Sequence, residues 1–271
     1  MTSIKQIRKR YAYSVILLRQ LVKTDFKLRY NDSVLGYVWS LLRPLFIFLI
    51  LYLVFTVFLP VGKGVPHYPV YLLLGIVLWN YFSEVTSGSI SAIVGKGDLL
   101  RKINFPKYVI IFAGSFSAFI NLIINFGVIA VFMIVGHVAI SWSALFIIPI
   151  IAELFLLAIG LAFLLSSLFV KFRDVSYIWE VILQAAFYAT PILYALQRVP
   201  TRYAKLLILN PMAQIIQDAR YVLVTPYSQT IWHLYPNKVW VWFIPVILTF
   251  TTVIVGALYF RSKSKNFAED I

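Results

Sequence analysis

The chain has no cysteine, only three histidines and only ten acidic residues among 271. Without cysteine there are no disulfides, thiol nucleophiles or thiolate-held metals. His67, His137 and His233 fall in separate loops divided by long apolar runs, which argues against a metal site within one chain. Charge is scarce as well: charged residues make up 13% of the chain, against roughly 25% for a soluble domain. Recognisable chemistry is missing too. Gly95 and Lys96 are followed by Gly97, and position 90 is Ile, so no phosphate-binding G-x-x-x-x-G-K-[ST] loop exists. There is no G-x-S-x-G and no H-E-x-x-H, and the acids within or beside the apolar segments form no clustered pair. Glu84, Glu153 and Glu180 fall in three different apolar segments near their expected ends, which argues against a proton relay. The chain reads as no enzyme, with no cofactor of its own. If it pumps, another chain supplies the energy.

Hydrophobic residues are abundant, at 61%, with 17% aromatic. A protein of this size cannot hide that excess inside a water-soluble fold. Soluble enzymes, secreted disulfide scaffolds and disordered tails are therefore excluded. The formal net charge of +14 raises the question of nucleic acid. The basic residues, however, crowd into the first 43 positions and recur at 96–107, 171–173 and 261–265, with long apolar runs between. That alternation is membrane topology, and no soluble module is present to carry a nucleic-acid patch.

Runs of roughly 20 apolar residues predict six spanning helices, at 37–60, 69–92, 108–136, 143–170, 175–196 and 239–261. The side holding both termini carries eighteen Lys and Arg, the opposite side six, Arg220 among them. This bias places both termini in the cytoplasm. Residues 11–31 predict an interfacial amphipathic helix, with Leu17, Leu18, Leu21, Val22 and Leu28 on one arc and Arg19, Gln20, Lys23, Thr24 and Lys27 on the other. Asp25 and Arg29 both project into the apolar arc, four apart; they read as an interfacial ion pair or as a clamp onto a span.

Between the fifth and sixth spans, Asn210 before Pro211 is a helix start, cap then first turn. Two short helices meeting there predict a re-entrant outer hairpin; the alternative is a helix lying on the outer leaflet. At 95–108, Asp98 can cap a short amphipathic helix with Leu99, Leu100 and Ile103 on one face and Arg101 and Lys102 on the other. It suits docking to a soluble partner, or is a solvated loop that only fixes topology. The expected layout is a tail and interfacial helix at 1–34, a six-helix membrane domain at 35–261 and a cytoplasmic tail at 262–271.

DFKLRYNDSVLGYVWSLLRPL at 25–45 resembles the approach to the first span in permeases of ATP-binding-cassette polysaccharide exporters, which carry O-antigen, teichoic acid or capsule. The shared positions are Asp25, Lys27, Arg29, Tyr30, Ser33, Leu35, Gly36, Trp39 and Pro44. LLRKINFPK at 99–107 is similar to that family's coupling helix, and FRDV at 172–175, ATPILY at 189–194 and NPM at 210–212 to its later signatures. The resemblance implies an all-α inner-membrane protein: six spans, an interfacial N-terminal helix, a coupling helix and an outer re-entrant hairpin. It implies a homodimer bound to two nucleotide-binding ATPase subunits, with ATP held by those partners. The implied substrate is a lipid-linked polysaccharide.

Sugar rings present apolar faces that stack on aromatic side chains without locking a sliding polymer. Phe48, Tyr52 and Phe55 on the first span, and Phe187 and Tyr194 a heptad apart on the fifth, are candidates for such a path; helix packing is the competing reading. A pyrophosphate entering from the cytoplasmic leaflet needs fixed cations, and Arg43, Arg29 and Lys27 flank the mouth of the first span, where attraction to anionic membrane lipids would also place them. Asn121 and Asn125 suit bonds between helices. Asn210 and Pro211 would sit at an outer gate. A drug or small-molecule exporter of the same superfamily, or an assembly factor without transport, are the other functions considered.

Overall fold

In the computed structural model, residues 15–24, 38–59, 62–102 and 105–267 are described. Every regular element among them is helical. The short helix α1 covers 15–24. Then come α2 (Val38–Leu53, extended by a π-helical turn at Val54–Phe58), α3 (Tyr68–Ile90), α4 (Ala92–Gly95), α5 (Gly97–Lys102) and α6 (Tyr108–Val135). After a 3-10 turn at Trp142–Phe146 follow α7 (Ile147–Lys171), α8 (Val175–Ala189), α9 (Thr201–Leu207), α10 (Pro211–Leu223), α11 (Ile231–Leu234), α12 (Val239–Trp242) and α13 (Ile244–Lys263).

Among the described residues, four stretches are long and apolar enough to cross a membrane: Tyr68–Ile90, Tyr108–Val135, Trp142–Lys171 and Val239–Lys263. Pro44–Phe58 and Val175–Ala189 are apolar but shorter. Of these stretches α3 is the most interior: 78% of its apolar window is buried, against 22% for the last span. Packed around it are α2, α6, α7, α8 and α10.

In α1, Leu17, Leu18, Leu21 and Val22 are half-buried while Arg19, Gln20, Lys23 and Thr24 are exposed, following the two arcs read from periodicity. Leu17, Leu18 and Leu21 pack on the main core. Between α7 and α13, Gly160 and Gly256 let two backbones meet directly.

Two sequence expectations need correcting. The fifth apolar helix does not run to 196; it ends at Ala189, with Thr190 extended at φ −82° and ψ 138°. Pro191 causes the stop, because its ring disfavours helical backbone in the residue before it. Phe187 and Tyr194 therefore do not share a helix. Second, Arg220 is no exterior topological cation: it is fully buried on α10.

Candidate functional site

Helix α10 begins as the sequence indicates. The Asn210 side chain accepts a hydrogen bond from the Met212 backbone N–H at 3.0 Å, and Pro211 occupies the first turn. From Met212 to Arg220 every residue of α10 is buried. Arg220 fixes the helix in place. Its Nε donates to Tyr71 O at 3.0 Å, Nη1 to Pro191 O at 2.6 Å and Nη2 to Ile192 O at 2.7 Å, with Cζ 3.5 Å from the centre of the Tyr71 ring. No carboxylate is involved; three carbonyls and a π face compensate the charge.

A polar groove of about 590 Å³ lies among α2, α3 and α6. Trp39, Pro44 and Ile47 form one wall; Asn80, Ser83, Glu84 and Ser87 of α3 and Asn121 and Asn125 of α6 form the others. Asn121 Nδ2 donates to Glu84 Oε1 across the two helices at 3.1 Å, whereas Asn125 Nδ2 donates within its own helix to Asn121 O at 2.8 Å. A second cavity of about 380 Å³ shares Glu84 and Gly88 and reaches Lys96. Glu84 thus stands inside a polar seam, six residues before the end of α3. Polar side chains this far inside an apolar bundle are costly and mark pathways or binding sites.

A second polar surface runs along α8. Tyr177, Glu180, Gln184 and Tyr188 are all exposed and, at spacings of 3, 4 and 4, share one face. Two other side chains hold α8 to α3: Trp179 Nε1 donates to Thr86 Oγ1 at 3.2 Å, and Phe187 packs edge-on against Trp79 at 5.7 Å. The sequence reading missed this stripe; Phe187, which it singled out, is half-buried against Trp79.

The other expected positions are spread over the molecule. Phe48 is buried, with Tyr52 at 5.7 Å and Phe132 at 5.3 Å, and Tyr52 and Phe55 are half-buried against the same core. Tyr194 lies past the end of α8, its hydroxyl donating to Ala189 O at 3.2 Å. Arg101 is exposed on α5, and Asp98 stands in the first turn of that helix, beginning at Gly97. Lys27, Arg29, the Asp25–Arg29 pair and Ile103 lie outside the described residues, as do the side chains of Arg43, Leu99, Leu100 and Lys102. Asn210 is exposed and Pro211 half-buried at the junction of α9 and α10.

The structure also brings two carboxylates that the sequence holds far apart, Glu153 on α7 and Asp218 on α10, to one side chain, Gln214.

A helical bundle with apolar spans, a polar seam inside it and a polar-aromatic stripe on an outer helix is the architecture of a membrane permease. Residues 16–224 match the ABC-2 type transporter family, and the chain belongs to that family. It is 29% identical over 258 residues to the O-antigen export system permease protein RfbA of Klebsiella pneumoniae, covering 95% of both chains. To the protein of that name in Myxococcus xanthus it is 27% identical over 278 residues, covering 99% of this chain and 100% of the relative. The polysialic acid transport protein KpsM of Escherichia coli is 22% identical over 225 residues, covering 78% of this chain and 83% of the relative.

Proposed function

We propose that this chain is the transmembrane subunit of an ATP-driven exporter that moves a lipid-linked polysaccharide across the inner membrane. End-to-end similarity to O-antigen export permeases carries the reading, and the α8 stripe supports it. A carboxylate and an amide facing lipid would cost several kcal/mol. In a homodimer, the same face turned toward the partner copy would line a wet channel, with Tyr177 and Tyr188 as stacking platforms for sugar.

The proposed topology has six spans with both termini cytoplasmic. Val38–Phe58 extends roughly 31 Å at 1.5 Å per residue and spans alone. Helix α8, roughly 22 Å long, would be completed by 190–195, irregular backbone tolerated at membrane depth because most of it is buried in protein. Asn210 and Pro211 would form the tip of a re-entrant outer gate. With α10 pinned by Arg220, the moving part would be α9. Arg43, with Arg29 and Lys27, is proposed to hold the pyrophosphate at the mouth of the groove where Trp39 and Pro44 lie. Two ATPase subunits would dock on α5, with Leu99, Leu100 and Ile103 entering a cleft and Arg101 and Lys102 at its rim.

Copurification with the nucleotide-binding subunit, followed by identification of the bound glycolipid, tests the function directly. Changing Leu100 and Ile103 together to aspartate should abolish copurification and coupled ATP hydrolysis while leaving the protein in the membrane. A double variant that assembles normally refutes docking at α5.

The stripe makes a separate prediction. Tyr177→Ala with Tyr188→Ala should lower export roughly tenfold, since an aromatic contact contributes about 0.5–1.5 kcal/mol per ring. ATPase assembly should be unchanged. Export at the parental rate would remove α8 from the polymer path.

A further inference from the structure

Near one end of the bundle, α7, α10 and α13 enclose a polar cluster that transport as proposed above does not use. Glu153 lies about 9 Å along α7 from its first residue. Asp218 and Gln214 face it from α10 and Thr249 from α13, and these three are at least 93% buried. Gln214 Nε2 donates to Asp218 Oδ2 at 2.5 Å. The remaining oxygens are stranded: Glu153 Oε1, Gln214 Oε1, Asp218 Oδ1 and Thr249 Oγ1 are buried with no hydrogen-bond partner of good geometry among the described residues. Three of the four can only accept, and the Thr249 hydroxyl supplies a single donor. The cluster is short of donors and of positive charge.

Among the described residues, no base in the surrounding elements makes up the difference. On α10, Arg220 is two positions from Asp218 and so points about 200° away, engaged by Tyr71, Pro191 and Ile192. On α13 the basic residues, Arg261 and Lys263, sit in the last turn, far along the helix from Thr249, and Lys171 likewise ends α7. From α3 the ionisable groups nearest α10 are Tyr68 and Tyr71, and the turn at Trp142–Phe146 carries none. Two ionised carboxylates in such a place repel each other and lack solvation.

We propose that Glu153, Gln214, Asp218 and Thr249 form a proton-binding site, in which one proton taken up at Asp218 relieves the repulsion between the two carboxyls and ties α10 to α7 and α13. A proton taken from water binds Asp218 Oδ1 and turns one stranded acceptor into a donor. No other bond breaks, and the pair's charge falls from −2 to −1. The Thr249 hydroxyl is then free to donate to a remaining acceptor. The two carboxyls titrate as a pair. Burial, reinforced by the Glu153 charge and opposed by Gln214, pushes the Asp218 carboxyl up from 3.8 to about 7. The folded protein keeps a proton that the unfolded chain releases near 3.8, so the stabilisation is complete at acid pH and is lost as pH rises through about 7.

The test is thermal unfolding of the full-length protein in detergent from pH 5 to 8.5, in choline and in sodium buffers of equal ionic strength. The parent should lose a few degrees of melting temperature across this window in both buffers. Asp218→Asn and Glu153→Gln should flatten that slope, and should melt above the parent at pH 8.5. An infrared titration of the parent should show a protonated-carboxyl band that disappears near neutral pH; this measurement decides the matter if the variants do not fold. A slope that persists in both variants overturns the proposal, as does the absence of the band. Stabilisation of the parent by sodium or calcium at fixed pH would assign the site to a metal cation and overturn it equally.

Discussion

Replacing Arg220 by methionine should cost about 3–5 kcal/mol of stability and free the segment between α8 and α10 from the bundle. Methionine has nearly the same reach but no donors. The carbonyls of Pro191 and Ile192 would be left buried in irregular backbone, where no helical N–H can take the place of the guanidinium. Arg220→Lys should fail almost as badly, since one ammonium cannot satisfy three carbonyls in a plane while resting on the Tyr71 ring. Gly75 explains why the arginine fits. A Cβ at that position would come within 2.5 Å of Arg220 Nη2, an atom that three hydrogen bonds around the guanidinium prevent from moving. Gly75→Ala should therefore reproduce part of the Arg220→Met loss without touching the arginine. Limited proteolysis between 190 and 210, together with the melting temperature, reads the effect. Parental resistance to protease in Arg220→Met would show that hydrophobic packing alone seats α10.

That arginine marks the boundary of what could be read from residues in order. Apolar run lengths located the four long spans, because the bilayer sets a length that composition must meet. Asn210 and Pro211 announced the start of α10, because a cap is a local interaction within one turn. The two arcs of α1 followed from periodicity in the same way. Arg220 did not stand out. Its neighbours Asp218 and Tyr221 look like an exterior stretch, and the three carbonyls that bury it come from residues far away in sequence. The Glu153–Asp218 pair was hidden for the same reason: each acid is isolated in its own segment. The polar seam was partly legible. Asn121 was expected to bond between helices and does so, but its partner, Glu84, depends on how α3 and α6 cross. On α8 the repeat of Tyr177, Glu180, Gln184 and Tyr188 at helical spacing was missed, because the sequence reading followed the aromatic residues Phe187 and Tyr194. The expected pairing of Phe187 with Tyr194 fails because Pro191 ends the helix between them.

Helices α7 and α13 should be separated by any side chain at Gly256. A Cβ there would lie 2.1 Å from the carbonyl oxygen of Gly160, and one on Gly160 would lie 2.8 Å from the backbone N and Cα of Val253. These obstacles are backbone atoms, so no rotamer change relieves them; one helix must move as a body. In lipid, helix association rests on close van der Waals packing with no hydrophobic gain between spans, and separating two backbones along a 20-residue helix forfeits contacts over much of its length. Gly256→Ala should cost about 3 kcal/mol, the upper end of overpacking penalties, and Gly256→Val should leave no monodisperse protein. Asp218 also depends on this contact, because Thr249 and Glu153 reach the cluster from these two helices. The comparison is Gly127→Ala on α6, where an added Cβ meets nothing within 4 Å; it should be neutral or stabilise by about 0.5–1 kcal/mol through helix propensity. Size-exclusion profiles and melting temperatures of the three variants in one detergent decide the point. Equal behaviour of Gly256→Ala and Gly127→Ala would mean that α13 can slide on α7 without loss, and that glycine is not required at their crossing.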